Sequence, residues 1–483
     1  MKPIFACLKY SMFVWVITTP LHADETLKQN AILTMQKATQ YFRTHVATQG
    51  GYLWNYKTDF TLREGEVNAS PSTIWVQPPG TPSVGLAYLH AFEATKDTLF
   101  LNGAIETAHA LTYGQLASGG WDYLIDFDPE KSKQWHYRRD VEAGDTLTGK
   151  RRNRTTLDDN NTQSALQFLM RIDKALAFKN LDIHRAVYYG LSALIAAQYP
   201  NGAWPQRYDD APNPEKFPVK KARYPDTWSR EFPQQRYLTY YTFNDNTIAD
   251  IIETMVMAHK IYGDAQFLDA AKRGGDFIIL AQMPDPQPAW AQQYNLDMEP
   301  AWARKFEPPA ITGGETFGIM QALLDLYLET GEPRFLDPIP KALDWAKRSR
   351  LSDGRMARFY ELKTNTPLYF TKDYVLTYDD SDMPTHYAFK VSGNRIENIE
   401  TLYNQIKEKG MEAVLAKRNR PSNIDPKDVQ NIIQALDDQG RWIDQGRLKT
   451  PENRNETIQA DMLSTRTFIR NLTLLAQYVK SQN

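Results

Sequence analysis

Two short segments of the chain place several oxygen-bearing side chains immediately before an apolar run. Residues 155–170 read TTLDDNNTQSALQFLM, and residues 242–255 read TFNDNTIADIIETM. Aspartate and asparagine are favoured at helix N-termini, where a side-chain oxygen accepts a hydrogen bond from a free backbone N–H. Each segment contains more acids and amides than one cap requires. Both turns are therefore candidates for a chemical function as well as for capping.

The acidic residues of these turns are Asp158, Asp159 and Asp245. If the helices that follow are neighbours in one layer, both turns lie at the same end and the three carboxylates converge. A cluster of carboxylate and amide oxygens suits Ca²⁺, and Mg²⁺ or Mn²⁺ accepts the same ligands. A pair of carboxylates can equally act as the acid and base of a glycosidase. The residues alone leave these alternatives open.

The two segments belong to a diffuse internal repeat that predicts stacked helical hairpins. The first helix of each hairpin carries apolar residues at helical spacing. These stripes are Val84, Ala87, Tyr88 and Ala91; Leu166, Leu169 and Met170; Ile248, Ile251, Ile252 and Met255; and Ile319, Ala322, Leu323 and Leu326.

This repeat predicts a mainly α fold, an (α/α) toroid or barrel of paired helices that is closed or incomplete. In such a fold the loops that lead into the inner helices line one end and form a cleft; an ordinary helical array is the alternative. A few short strands are predicted between residues 351 and 378. We expect residues 24–395 to form the toroid domain and residues 396–483 to form a C-terminal helical extension packed on it.

The N-terminal segment MKPIFACLKYSMFVWVITTPLHADE resembles a secretory signal peptide, with an apolar run too short for a membrane span. We predict cleavage near Ala23, so that residues 1–23 are removed. The only cysteine, Cys7, lies inside this segment, which excludes disulfides from the mature chain. The formal net charge of -2 gives no indication of a nucleic-acid partner. We expect an exported monomer, periplasmic or secreted, without a membrane span once the signal is removed.

Aromatic residues make up 12% of the chain, which is typical of a large core and also of proteins that bind sugars by ring stacking. Trp121 and Trp204 lie in glycine-containing loops, SGGW and NGAW. For both residues a place in the core and a sugar-stacking surface are equally open interpretations. Trp204 enters the set of candidate substrate-binding residues.

Five segments together resemble the pectate lyases of polysaccharide lyase family 10. In chain order they are TLDDNNTQSALQFL, NGAWPQRY, TFNDNT, WARKFEPPAITGGE and MARFYELKTNTPLYFTKD. The resemblance covers much of residues 50–385. It implies an α/α toroid of partial turn that cuts polygalacturonate, an acidic polysaccharide, by β-elimination with Ca²⁺.

The resemblance also assigns roles to individual residues. Asp158 is similar to an aspartate that contacts metal and substrate, and Asp245 to the main Ca²⁺ ligand. Arg304 is similar to the arginine that acts as the base, and Arg358 to a substrate-binding arginine. Lys372 stands where a second such arginine is expected.

Two positions depart from the family pattern. Asp159 replaces a usual asparagine and adds negative charge to the candidate metal site, of which we expect it to be a ligand. Lys372 lacks the planar, bidentate grip of arginine on a carboxylate. We expect both departures to bear on the metal requirement or on which uronic acid is bound.

The implied reaction removes the proton at C5 of a galacturonate and then breaks the bond to O4. The negative charge that develops on the adjacent carboxylate requires a cation or cationic side chains for its stabilisation. Arginine is a weak candidate base because it is normally protonated. Arg304 can serve only if neighbouring cations favour its neutral form, and Lys372 or Tyr360 is the alternative base.

Two further functions remain open at this stage. A glycoside hydrolase on the same fold would use Asp158 and Asp245 as its carboxylate pair and give no unsaturated product. A non-catalytic protein would bind oligouronides without cleaving them.

Overall fold

A computed structural model of the protein describes residues 20–234, 236–418, 424–450 and 456–482. The helices, in chain order, are α1 (Pro20–Tyr41), α2 (Thr81–Thr95), α3 (Thr98–Tyr113), α4 (Pro129–Ser132), α5 (Arg138–Glu142), α6 (Asn161–Ala175), α7 (Leu181–Ala196), α8 (Thr247–Tyr262), α9 (Ala265–Ala281), α10 (Glu315–Thr330), α11 (Ile339–Arg348), α12 (Arg395–Arg418), α13 (Pro426–Gln434) and α14 (Thr465–Ser481). Residues 1–19 of the predicted signal peptide lie outside the described residues. The predicted cleavage point after Ala23 falls in the first turn of α1.

The strands are short, and all of them pair in an antiparallel manner. They are β1 (Asn55–Lys57), β2 (Arg63–Glu64), β3 (Thr73–Trp75), β4 (Leu124–Asp126), β5 (Thr155–Thr156), β6 (Arg207–Tyr208), β7 (Tyr241–Thr242), β8 (Gln293–Tyr294), β9 (Ala310–Thr312), β10 (Met356–Ala357), β11 (Phe359–Glu361), β12 (Pro367–Phe370), β13 (Leu376–Thr377), β14 (Lys390–Val391), β15 (Asp444–Lys449) and β16 (Thr457–Ser464). Two sheets have four strands, in the orders β15-β16-β1-β2 and β13-β12-β11-β9. The other pairs are β3-β4, β5-β6, β7-β8 and β10-β14. The strands predicted between residues 351 and 378 are confirmed as β10–β13.

The helices form two layers. Four hairpins are α2-α3, α6-α7, α8-α9 and α10-α11, and their first members pack side by side. This inner layer runs in the order α14, α2, α6, α8, α10, α12, and the partner helices with α1 pack behind it. Within the described ranges the inner helices form an arc and do not close into a barrel. The predicted mainly α toroid of paired helices is confirmed, and of the closed and incomplete forms left open by the sequence the structure has the incomplete one.

The inner layer forms because each of its repeated helices carries an apolar stripe. Every residue of the four predicted stripes is buried. Two of the hairpin turns also share one device: Lys96 and Gly263 are left-handed, with φ of 59° and 75°. The next residue in each turn, Asp97 or Asp264, then caps the following helix through its side chain. These turns return the chain beside itself and leave the other ends of the inner helices free for the site.

The C-terminal part contains a feature that the sequence did not suggest. The long hairpin β15-β16 pairs through β16 with β1, from the beginning of the chain. Helix α14 packs against α1 and α2. The boundary between residues 395 and 396 stays a prediction. In the described part of the chain, no helix combines the length and apolarity needed to cross a membrane.

Candidate active site

The two acidic turns have nearly the same backbone. The first leads from β5 into α6, and the second leads from β7 into α8. Asp159 and Asp245 are left-handed, with φ of 52° and 49°, and the asparagine that follows each one is left-handed as well. Aspartate and asparagine enter this region more readily than other side chains because they can hydrogen-bond locally. The Asp-Asn dipeptide therefore suits the kink by which each strand enters its helix.

The packing of α6 beside α8 brings the two turns together. Asp158, Asp159 and Asp245 each offer a carboxylate oxygen, and the three oxygens lie within 4.8 Å of one another. Asp158 is buried, whereas the other two are partly exposed. The convergence expected from the sequence is thus present in the structure.

The electrostatics of this cluster favour a bound cation. Burial and the nearby charge of Asp158 raise the pKa of Asp159 to about 6. The same two causes raise the pKa of Asp245 to about 7. Four buried side-chain oxygens around the turns also accept no hydrogen bond within the described residues; they are the Oδ1 atoms of Asp158, Asn160, Asn161 and Asn244. Unpaired oxygens and mutually repelling carboxylates together form a donor set that fits a hard divalent cation such as Ca²⁺.

Glu315, from the next hairpin, takes the position that Asp159 and Asp245 have in the two acidic turns. Glu315 begins α10 three residues after Thr312, as Asp159 follows Thr156 and Asp245 follows Thr242. In each of these turns the threonine hydroxyl accepts a hydrogen bond from the backbone N–H two residues later, at 3.4, 3.1 and 3.1 Å. The repeated Thr-x-x-acid spacing is the sequence signal that identifies Glu315, and the sequence analysis missed it.

Arg304 lies beside the carboxylate cluster. Its Nη2 atom is 3.8 Å from Oδ2 of Asp245. Oε2 of Glu307, a side chain only 2% exposed, accepts hydrogen bonds from the Arg304 Nε at 2.9 Å and from its backbone N–H at 3.0 Å. Burial by itself would lower the pKa of Arg304, but Glu307 and other negative groups raise it above its ordinary value. Arg304 is therefore held as a cation by its neighbours within the chain.

Arg358 is connected to Arg304 through a tyrosine that the sequence analysis did not select. Its Nη1 donates to Oε1 of Glu315 at 3.2 Å and to the hydroxyl of Tyr387 at 3.1 Å. The Tyr387 hydroxyl in turn donates to Oε1 of Glu307 at 3.1 Å. The two arginines and two glutamates are thus held by one hydrogen-bonded network around Tyr387.

Trp204, a candidate substrate-binding residue, lies in the core. The side chain is fully buried, and its indole N–H donates to the carbonyl of Leu194 at 2.8 Å. Trp121 and Trp290 are buried in the same way and make the corresponding bonds at 2.9 and 2.8 Å. These tryptophans are a structural element of the repeat, and no sugar can reach them.

Lys372 does not join the Arg304 network. Its side chain is 66% exposed and pairs with Asp382 at 2.7 Å on a surface loop. Tyr360, the other alternative base, is buried with its hydroxyl hydrogen-bonded to the carbonyl of Ser349 at 2.6 Å and to the N–H of Ala357 at 2.9 Å. Of the three candidate bases, Arg304 alone lies at the carboxylate cluster.

The first acidic turn is bordered by two further residues that the sequence analysis missed. The hydroxyl of Tyr123 donates to Oδ2 of Asp158 at 3.1 Å. Arg207, on β6, lies opposite Thr156 in the β5-β6 pair. Two cavities of about 650 and 840 Å³ meet at Arg207, and the second also contains Phe217 and Tyr237. The groove formed by these two cavities therefore adjoins the acidic cluster at Arg207, whose Nη2 lies 4.0 Å from Oδ2 of Asp158.

Comparisons with known proteins agree in part with this arrangement. The family model for pectic acid lyases matches residues 115–358. No curated protein is significantly similar in sequence. Similar solved structures include a family 10 polysaccharide lyase from Cellvibrio cellulosa, at 21% identity over 67% of this chain and 97% of that chain, with a TM-score of 0.46.

A mutant of that lyase in complex with trigalacturonic acid is 20% identical over 66% of this chain and 97% of that chain, with a TM-score of 0.45. Cellobiose 2-epimerase from Bacillus thermoamylovorans is 10% identical over 95% of this chain and 100% of that chain, with a TM-score of 0.46. These structural similarities are too weak to transfer residues or activity to this chain. The family model, which covers both acidic turns and both arginines, carries the assignment.

Proposed function

The chain belongs to the pectic acid lyase family and is a polysaccharide lyase, and on that premise we propose that it cleaves polygalacturonate by Ca²⁺-assisted β-elimination. The observation that carries the proposal is the position of Arg304. Its guanidinium lies 3.8 Å from one of three carboxylates that converge within 4.8 Å of one another. A cation site and a basic side chain in this proximity suit the removal of a proton next to a carboxylate.

We assign Asp158, Asp159 and Asp245 as the residues that would hold the metal. The unpaired oxygens of the two turns support an ion with oxygen ligands, and the extra carboxylate of Asp159 supports a divalent one. A Ca²⁺ ion bound there supplies Lewis-acid stabilisation of the uronate carboxylate next to C5.

The chain's own residues then divide the remaining work. Arg304 is the proposed base, because it is partly exposed at the cluster and is oriented by Glu307. Since Glu307 and other negative groups raise its pKa, it can take the C5 proton only when a cation bound at the carboxylate cluster favours its neutral form. Arg358 supplies positive charge for the substrate carboxylate, and Glu315 and Tyr387 fix its guanidinium. Asp158 is the proposed contact to both metal and substrate, in a position that the Tyr123 hydroxyl restrains. Lys372 remains a proposed substrate contact only for a sugar that reaches the surface loop of Asp382.

The direct test is the ultraviolet absorbance of unsaturated uronates during incubation with polygalacturonate. We expect absorbance to rise with added Ca²⁺ and to stop when a chelator is added. A flat trace over intact polymer would contradict the proposal, and a trace unaffected by the chelator would contradict its metal requirement.

The same assay separates the lyase from the two other functions. A hydrolase that used Asp158 and Asp245 would shorten the polymer without any rise in absorbance. A non-catalytic binder would leave the polymer intact, and Arg304→Ala would then change only affinity. For the lyase, Arg304→Ala abolishes turnover while the protein still binds substrate.

We also propose that the protein is exported as a monomer, periplasmic or secreted, with residues 24–395 as the catalytic domain and residues 396–483 packed on it. The proposal rests on the N-terminal segment and on a polymeric substrate that is found outside cells. Sequencing the N-terminus of protein recovered from periplasm and medium tests cleavage near Ala23. An uncleaved chain confined to the cytoplasm would contradict it.

A further inference from the structure

Arg207 has unused hydrogen-bonding capacity beside the carboxylate cluster. Within the described residues, its one hydrogen bond runs from Nη2 to the hydroxyl of Tyr123 at 3.4 Å, and the same atom is 4.0 Å from Oδ2 of Asp158. Its Nε is buried and donates to no partner among these residues. A guanidinium has five N–H donors, and a buried donor without an acceptor is costly. Arg207 is therefore positioned to receive an acceptor that the chain itself does not supply.

Two neighbouring arginines on the same wall are already paired. Arg154 binds Asp209 through two hydrogen bonds of 2.8 Å each. Arg151 pairs with Asp145 at 2.8 Å. Since these side chains have carboxylate partners within the chain, they have less to offer a ligand. Arg207 lies on the same surface, but its nearest carboxylate oxygen is 4.0 Å away and its Nε donates to no partner among the described residues.

The surroundings of Arg207 have room for sugars. Arg207 lines both cavities, and ligand sites in proteins commonly have volumes of this size. The larger cavity adds Phe217 and Tyr237, whose rings offer apolar surface for the CH faces of a sugar. About a third of the Arg207 side chain is exposed, so it is accessible from the groove.

A chain of uronic acids presents one carboxylate per sugar. If one sugar lies at the carboxylate cluster with its carboxylate near Asp158 and Asp245, the next sugar along the groove brings its own carboxylate towards β6. Arginine is well suited to this ligand because its planar fork matches a carboxylate. The pairing of β6 with β5 fixes the distance between Arg207 and the acidic turn, since Arg207 lies opposite Thr156.

We propose that Arg207 binds the carboxylate of the uronate adjacent to the reacting sugar and thereby selects acidic over esterified substrate. This inference rests on the proposed function, because it assumes a uronate polymer at the cluster. Arg207 acts in binding and specificity, and it has no part in the removal of the proton.

The test compares Arg207→Gln and Arg207→Lys with Arg154→Gln, a matched control on the same wall whose arginine is already paired with Asp209. For polygalacturonate we expect Arg207→Gln to raise KM about 10-fold to 100-fold, as expected for the loss of a charge-assisted hydrogen bond, while kcat changes little. Arg207→Lys should give an intermediate KM, and the control should match the wild type. With highly methyl-esterified pectin, Arg207→Gln and wild type should differ much less.

The inference is overturned if Arg207→Gln keeps the KM of the Arg154→Gln control, or if its KM defect is equally large on esterified substrate. Thermal melting of each variant identifies a folding defect, in which case Arg207→Lys carries the comparison. Calorimetric titration with trigalacturonate separates this inference from the proposed lyase activity. A wild type that binds the trimer more tightly than Arg207→Gln, but forms no unsaturated product, would contradict the lyase and support Arg207; a wild type that does not bind it would overturn both.

Discussion

Glu307→Gln tests how the cationic half of the site is held in place. Glu307 is buried and accepts hydrogen bonds from the backbone N–H of Arg304 at 3.0 Å, from its Nε at 2.9 Å and from the Tyr387 hydroxyl at 3.1 Å. Glutamine has nearly the same shape, but it has one acceptor oxygen and no charge. The variant can therefore keep Arg304 or Tyr387 as a donor to that oxygen, and the remaining partner faces an amide NH₂ group.

The size of the effect follows from the bonds that are lost. A hydrogen bond to a charged group contributes about 1.5–3 kcal/mol. Removing the Glu307 charge also lowers the pKa of Arg304, which favours the neutral base. If the lost orientation in the transition state is the larger effect, kcat falls about 10-fold to 150-fold, since each 1.36 kcal/mol is a factor of ten. Glu307 is only 2% exposed and does not reach the groove, so KM should change little.

The assay is the initial rate of unsaturated product over a range of polygalacturonate concentrations, with thermal melting as a check on folding. Glu106→Gln is the matched control, because Glu106 binds Arg43 at 2.6 and 3.0 Å between α3 and the segment after α1. It should behave as the wild type. The reasoning is refuted if Glu307→Gln folds normally and its kcat stays within about twofold of the wild type, or if the loss appears in KM alone.

Three other predictions concern the metal, the pH dependence of stability and the core. Asp245→Asn should weaken Ca²⁺ binding about 10-fold or more by calorimetry, because a carboxylate ligand is lost; unchanged affinity would exclude Asp245 as a ligand. Asparagine retains the left-handed turn and removes a carboxylate whose pKa is raised to about 7, so the melting temperature of the metal-free protein should not fall. Burial, reinforced by Glu253, raises the pKa of Asp250 from 3.8 to about 7, so the folded chain binds the proton more tightly than the unfolded chain and loses stability as the pH rises between these values. Asp250→Asn should therefore raise the melting temperature at pH 8 and give no gain at pH 4, and an equal gain at both would contradict this assignment. Trp204→Phe should lower the free energy of unfolding by about 1–3 kcal/mol, through the lost bond to Leu194, without a change in KM; a raised KM in a folded variant would restore Trp204 as a sugar contact.

The architecture could be predicted because its cause is local. The apolar residues of the inner helices recur at helical spacing, and burying those stripes requires the helices to pack side by side. The acidic turns were also evident, because two Asp-Asn turns before apolar helices exceed what capping needs. Their convergence then followed from the repeat, which sets both turns at the same end.

The remaining site residues were not predictable from local pattern. Tyr387 reaches Glu307 across 80 residues of sequence and Arg358 across 29, and no spacing rule links them. Arg207 likewise depends on the pairing of β6 with β5. Glu315 is different, because its Thr-x-x-acid spacing was present in the sequence and was hidden by the Glu-Thr that stands where the other two turns have Asp-Asn.

Trp204 shows the limit of reading residue type without its surroundings. A tryptophan in a glycine-containing loop suits a core and a sugar platform equally well. Trp121 and Trp290 take the equivalent place after other hairpins, and each indole donates to a carbonyl near the end of the helix before it. Repetition of one residue after three successive hairpins indicates a part of the scaffold, since a binding surface needs it only once.

The three acidic side chains Asp159, Asp245 and Glu315 come from three successive hairpins, so no single hairpin contains the site. A cation held between the first two would act as a cross-link between neighbouring units of an arc whose described residues make no closing contact. Ligand binding of this kind adds about 2.7 kcal/mol to stability at one hundred times the dissociation constant. The protein's resistance to heat would then rise with the calcium concentration, and a chain without the ion would lose its activity and part of its stability.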